Sequence, residues 1–116
     1  MANVALLDAN VIWSAAVRDT LLRATAHGLY RPVWSHEILG EMARSLKERR
    51  PDLDPARIDR TVERMLEAFP QALVDGYDSL IPTMRNHQED RHVLAAAVHA
   101  YDSAAMGRAL KTRLGR

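Results

Sequence analysis

Val4-Ala5-Leu6-Leu7-Asp8-Ala9-Asn10-Val11 is the stretch on which the reading of this chain turns. Four apolar residues run without a break and stop at a carboxylate. A run apolar on both faces is the pattern of a strand buried in a parallel sheet, so the spacing predicts a strand over 4–7. Asp8 then falls at the strand's carboxyl end, where open parallel sheets place their ligands. It also stands where the cap of a following helix belongs. From this residue alone both readings hold.

Working outward, residues 10–17 read as a short helix or turn. Asp19 is the expected N-cap of a second helix through Leu21, Leu22, Ala24 and Thr25, stopped by His27-Gly28, since glycine accepts the left-handed conformation past a helix end. Residues 29–34 suit a strand, with Pro32 near its start or on an edge. Ser35 is the expected N-cap of a third helix, with Glu37 favoured in the first turn by the helix dipole. Ile38, Leu39, Met42 and Leu46 follow at helical spacing, and Pro51 closes the segment. Asp54-Pro55 combines a cap with proline at the first helical position. Ile58, Val62, Met65 and Phe69 share one face of that helix, and Pro70 ends it. Ala72-Leu73-Val74 is a third, short strand candidate. Residues 76–88 read as irregular. Asp90 is the expected head of an Ala-rich helix (Val93-Leu94-Ala95-Ala96-Ala97-Val98), apolar on nearly every side and so expected to be buried. Alternation of strands and helices predicts an α/β layer fold with a parallel sheet.

The 116 residues suit one domain, and 47% apolar with 27% charged residues is ordinary for a globular chain. There is no cysteine, which removes disulfide scaffolds, thiolate zinc sites and cysteine nucleophiles. No apolar run reaches the ~18 residues that span a bilayer. Met1-Ala2-Asn3-Val4 has no basic leader followed by an apolar core, so a cytoplasmic chain is expected. The net charge of +1 is uneven: residues 101–116 hold four basic side chains (Arg108, Lys111, Arg113, Arg116) and one acid, Asp102, out of 16 and 15 overall, which leaves 12 basic against 14 acidic residues in 1–100. A strongly basic nucleic-acid binder would look different.

Three carboxylates stand out. Asp8 ends the first strand. Glu41 lies inside the third helix, four residues from Glu37 and beside the apolar Ile38 and Met42, and a carboxylate on the inner edge of a helix needs a partner, of which a metal is one. Asp90 precedes the most apolar helix, where a plain capping role is the competing reading. Clustered carboxylates repel unless a positive charge sits between them. Oxygen ligands suit a hard divalent cation, Mg²⁺ or Mn²⁺, and such a site permits hydrolysis of a phosphate ester. Other chemistries fit less well. The five histidines make no helical His-x₃-His pair, and the five glycines form neither a dinucleotide nor a phosphate loop. No serine stands in a nucleophile elbow. Lys47-Glu48-Arg49-Arg50 reads as a solvated helix end, with contact to RNA phosphates as its second reading.

Val4 to Val11 also resembles the opening of a PIN domain. Ser35-His36-Glu37-Ile38-Leu39-Gly40-Glu41 resembles that family's second acidic segment, and Asp90-Arg91-His92-Val93-Leu94-Ala95-Ala96-Ala97 its third, in the family's order. Gly76-Tyr77 through Asn86-His87 is similar to the toxin-type PIN ribonucleases of bacterial toxin–antitoxin pairs. The resemblance implies an α/β/α sandwich around a parallel sheet. It implies a metal-dependent endoribonuclease whose substrate is RNA and whose partner is an antitoxin protein. Matched residue by residue, Asp8, Glu41 and Asp90 are the implied catalytic and metal-site acids for Mg²⁺ or Mn²⁺, and Asn10 supports the site near Asp8.

The match extends over residues 4–100. Family members continue with a glycine turn, another apolar strand and a further acid, whereas this chain reads Tyr101-Asp102-Ser103-Ala104-Ala105-Met106-Gly107. The expectation is a partial PIN-like domain over 1–100, shortened at its C-terminus, and a divergent basic tail over 101–116. Helix over 101–113 is expected to replace the missing strand. A lost strand exposes a sheet edge, which a second copy or the tail would cover, so a homodimer is among the expected partners. The alternative function is a catalytically impaired remnant that binds protein or RNA.

Overall fold

The computed structural model describes residues 3–101. The apolar run forms β1 (Asn3–Leu6), and it pairs in parallel with β2 (Tyr30–Val33) in the register Asn3↔Tyr30 to Leu6↔Val33. Leu7 N–H donates to the Val33 carbonyl at 2.9 Å and carries the pairing one residue further. The architecture is mixed α/β, with a small two-stranded parallel sheet. Parallel strands need a crossover of a dozen or more residues, and α1 (Ala9–Ile12) and α2 (Ala15–Ala26) supply it.

The helix ends explain the boundaries. Asp8 caps α1 and Ser14 caps α2, its Oγ accepting from Val17 N at 3.5 Å. The expected cap at Asp19 is therefore corrected. Asp19 lies within α2 and pairs with Arg23 at 3.2 Å across one helical turn. The short helix or turn expected over 10–17 is divided at Trp13-Ser14, because Ser14 starts a new helix there. Gly28 takes φ +75° as expected. Leu29 N–H reaches the Ala24 carbonyl at 3.1 Å and Gly28 N–H the Thr25 carbonyl at 2.9 Å, the paired bonds of a Schellman end. Tyr30 Oη then donates to the Leu21 carbonyl at 2.8 Å and ties the start of β2 back to α2.

Ser35 caps α3 (His36–Arg49), its buried Oγ accepting from Ile38 N at 3.1 Å, and Asp54 caps α4 (Pro55–Ala68) through Ala56 N at 3.1 Å. α3 buries Ile38, Leu39, Met42 and Leu46, and α4 buries Ile58 and Met65. Trp34, Ile12, Ile38 and Met42 are wholly buried and centre the core, and side chains of this size each contribute ~1.5–3 kcal/mol on burial. The Phe69 ring, at the end of α4, meets the Trp34 ring edge to face at 6.0 Å.

The third strand expected over 72–74 shrinks to one parallel bridge, Trp34↔Leu73, with Trp34 N–H on the Ala72 carbonyl at 2.9 Å. Successive residues of a strand point their backbone groups to opposite sides. Val33 faces β1, so Trp34 and Pro32 face the third segment. Pro32 has no N–H to give there, and a 3-10 turn at Pro70–Ala72 occupies the residues just ahead of the bridge.

The described residues form two compact units, the first ending at Leu73 and the second beginning at Val74. In the second, Gly76 takes φ +78° and is followed by 3-10 turns at Asp78–Thr83 and Gln88–Asp90. Residues 91–101 are helical (α5). Ala95 and Ala96 are wholly buried, but Leu94 is 41% exposed, so the expectation that this helix is buried on nearly every side is corrected to one buried face. The expected helix over 101–113 lies, after Tyr101, outside the described residues.

The caps give a direct test. Ser35→Ala leaves a buried N–H without its acceptor and should cost ~1–2 kcal/mol in urea denaturation. Asp19→Ala, at the position the sequence suggested as a cap, loses only an exposed ion pair and should cost less than ~0.5 kcal/mol.

Candidate functional site

Asp8 sits at the carboxyl end of β1, as its place after the apolar run requires. Its backbone is extended (φ −74°, ψ 157°), and Oδ1 accepts the Ala9 N–H at 2.7 Å. Its carbonyl receives Val11 N–H at 3.0 Å and Ile12 N–H at 3.2 Å, so the residue that ends the strand also starts the helix. The capping and ligand readings of Asp8 are compatible, because the cap uses one oxygen. Among the described residues no hydrogen bond engages Oδ2. The carboxylate is half-buried.

Asn10 is the second residue of α1 and is exposed. Glu41 lies midway along α3, half-buried on the flank of the stripe formed by Ile38 and Met42. α3 packs against α1, so Asp8 and Glu41 stand on neighbouring elements of the first unit.

Asp90 belongs to the second unit and is exposed. It directly precedes the helix over 91–101, as the sequence suggested. It is the last residue of the Gln88–Asp90 turn, and the capping acceptor there is His87, whose Nδ1 receives Glu89 N–H at 3.3 Å. His87 does this because it precedes the turn by one residue, leaving Asp90 inside it. Arg91 Nε donates to the Asn86 carbonyl at 3.1 Å and fastens the start of α5. Among the described residues no group of three or more His, Cys, Asp or Glu side chains is gathered so as to hold a metal ion. No described helix is long and apolar enough to cross a membrane.

The first unit also contains a cavity of about 300 Å³ whose wall includes Arg18, Arg50 and Arg57. Spacing along the chain did not single these out, since they come from three different helices or their ends. Only the run Lys47-Glu48-Arg49-Arg50 hinted at one of them.

The cap at Asp8 separates its structural role from its charge. Asp8→Asn retains an oxygen for the Ala9 N–H and should leave the melting temperature within ~1 °C of the parent. Asp8→Ala removes the acceptor and should cost ~0.5–2 kcal/mol by chemical denaturation. A drop in stability with Asn as large as with Ala would show that the carboxylate charge itself holds the fold.

Comparison of the chain with protein-family models, with curated proteins and with solved structures gave no match.

Proposed function

We propose that the chain is a metal-dependent endoribonuclease of the PIN type, an RNA hydrolase acting as the toxin of a toxin–antitoxin pair. The fold that goes with this reading is an α/β/α sandwich, and its place of action is the cytoplasm. The observation that carries it is the position of Asp8. A half-buried carboxylate stands at the carboxyl end of a parallel strand with one oxygen committed to the helix cap. Glu41 stands on the helix that packs against that cap's own helix.

The donors are all oxygens, the type that hard cations prefer. Mg²⁺ keeps several of its waters and takes one or two protein carboxylates, so Asp8 and Glu41 are a sufficient pair without a gathered group of three. Asp90 is the third acid that the resemblance assigns. A bound Mg²⁺ or Mn²⁺ supplies an acidified water and neutralises charge on the phosphodiester. Asp8 would contribute Oδ2 while the Ala9 N–H fixes the rotation of its carboxylate, and Asn10, two residues on in α1, is the supporting residue that the resemblance assigns. An antitoxin protein is the partner of this reading.

The second reading is a catalytically impaired PIN relative that binds protein or RNA.

Calorimetric titration with Mn²⁺ separates the two. Under the nuclease reading the parent chain binds Mn²⁺ and cleaves total RNA. An Asp8→Asn/Asp90→Asn variant, folded by circular dichroism, does neither. A folded parent that binds no Mn²⁺ overturns the nuclease reading and leaves the binding module. Cleavage that persists in the double variant overturns the assignment of the acids.

A further inference from the structure

The cavity in the first unit is built from three helices. Ser14 and Ala15, the cap and first residue of α2, stand in one wall. Arg50, at the C-terminal end of α3, stands in another, and Arg57 and Thr61 of α4 in the third. Three arginines line it, and among the described residues no aspartate or glutamate does. The N-terminus of α2, a helix of 12 residues, adds the positive end of its dipole.

The three arginines are occupied to different degrees. Arg18 Nη1 donates to the Ile12 carbonyl at 2.9 Å and to that of Trp13 at 3.4 Å, which fixes it beneath the junction of α1 and α2. Burial pushes its pKa below the ordinary arginine value, against a smaller opposing effect of Asp19. Arg50 is gripped by Asp52 through two bonds, Nε to Oδ1 at 3.0 Å and Nη2 to Oδ2 at 2.8 Å. That grip holds the Asp52 carboxyl below its usual range and the guanidinium above its own. The guanidinium of Arg57 makes no hydrogen bond or ion pair among the described residues. Trp13, also in the wall, has an indole N–H closed off from solvent that finds no acceptor among the described residues.

We propose that this cavity is a binding site for a phosphate monoester carried on a small organic body. Planar guanidinium forks match phosphate oxygens two at a time. Arg57 and the start of α2 would take the phosphate. Arg18 supplies fixed charge from below. The buried side chains of Leu46 and Ile58 give the floor an apolar part, which suits the organic portion of the ligand rather than inorganic phosphate alone. A volume of about 300 Å³ is at the small end of ligand pockets and limits that portion to roughly nucleoside size. A free mononucleotide and the phosphorylated end of an RNA share this chemistry. The site uses none of Asp8, Glu41 or Asp90, so it stands apart from the nuclease reading.

Titration of the full chain with phenyl phosphate and with AMP, by calorimetry and by Trp13 fluorescence, tests it. Binding should be saturable and weaken with salt. It should tighten as pH rises through ~6, where a phosphate monoester gains its second charge. Arg57 is exposed and has no structural bond to lose, so Arg57→Gln should fold normally and bind about tenfold more weakly. Asp52→Asn releases Arg50 and should bind more tightly. Arg60→Gln, on the same helix but outside the cavity, should bind like the parent.

No saturable binding at millimolar ligand, or equal weakening by Arg57→Gln and Arg60→Gln, overturns the site. Short RNAs with 5′-phosphate and 5′-hydroxyl ends decide the source. Preference for the phosphorylated end extends the same site to RNA. Equal binding of both, with none of AMP, makes the cavity a backbone contact and overturns the monoester assignment.

Discussion

The parallel pairing of β1 with β2 is the constraint from which the rest of the first unit follows. Two parallel strands of four residues cannot be joined directly, so the chain between Leu6 and Tyr30 must leave the sheet, turn and return. It leaves through α1 and returns along α2, and the Schellman end at Gly28 aims it into β2. The register then places Trp34 just past the strand, where it buries completely and meets Phe69. Ser35 follows with no residue to spare and starts α3 with its side chain. The packing of α3 on α1 and α4 is thus set by where β2 stops.

Local signals in this chain were legible where one residue has one job. Ser35 caps α3 and Asp54-Pro55 opens α4 because the side-chain oxygen, the missing proline N–H and the following apolar spacing all agree. The β1 run was legible because an uninterrupted apolar stretch before a carboxylate has few alternatives. Asp19 misled because two capping residues, Ser14 and Asp19, lie within one short stretch. The chain uses the earlier one, which gains a longer helix, and Asp19 pairs with Arg23 instead. Asp90 stands directly before the helix over 91–101, as expected, but a 3-10 turn capped by His87 runs into it, and the spacing did not show that turn.

The third strand failed for a reason that spacing cannot reveal. Pro32 reads as a residue near the strand's start or on an edge, but which side its missing donor faces depends on the register with β1. Since Val33 faces β1, the vacant donor falls on the other side, and pairing there begins only at Trp34. The arginine cavity was illegible for a related reason. Arg18, Arg50 and Arg57 become neighbours only through the return of α2 and the turn between α3 and α4. For the acids, order along the chain carried Asp8 and Glu41 to adjacent elements, whereas Asp90 falls in the second unit.

The acid and the arginine bonded to the same short helix divide its ends between them. α1 is a single turn, about 6 Å of axis for four residues. Asp8 satisfies an N–H at its start, and Arg18 satisfies carbonyls at its finish. Each side chain therefore has a structural task that opposes its removal and a charge that the task does not exhaust. Such a helix is too short to be stable alone. It is held by its two ends and by the wholly buried Ile12 between them. A cation beside Asp8 or an anion beside Arg18 would sit at the end of this helix whose dipole disfavours it, so each would be held by the side-chain charge and not by the helix. Being of opposite sign, the two proposed ligands would attract each other, the more so at low salt.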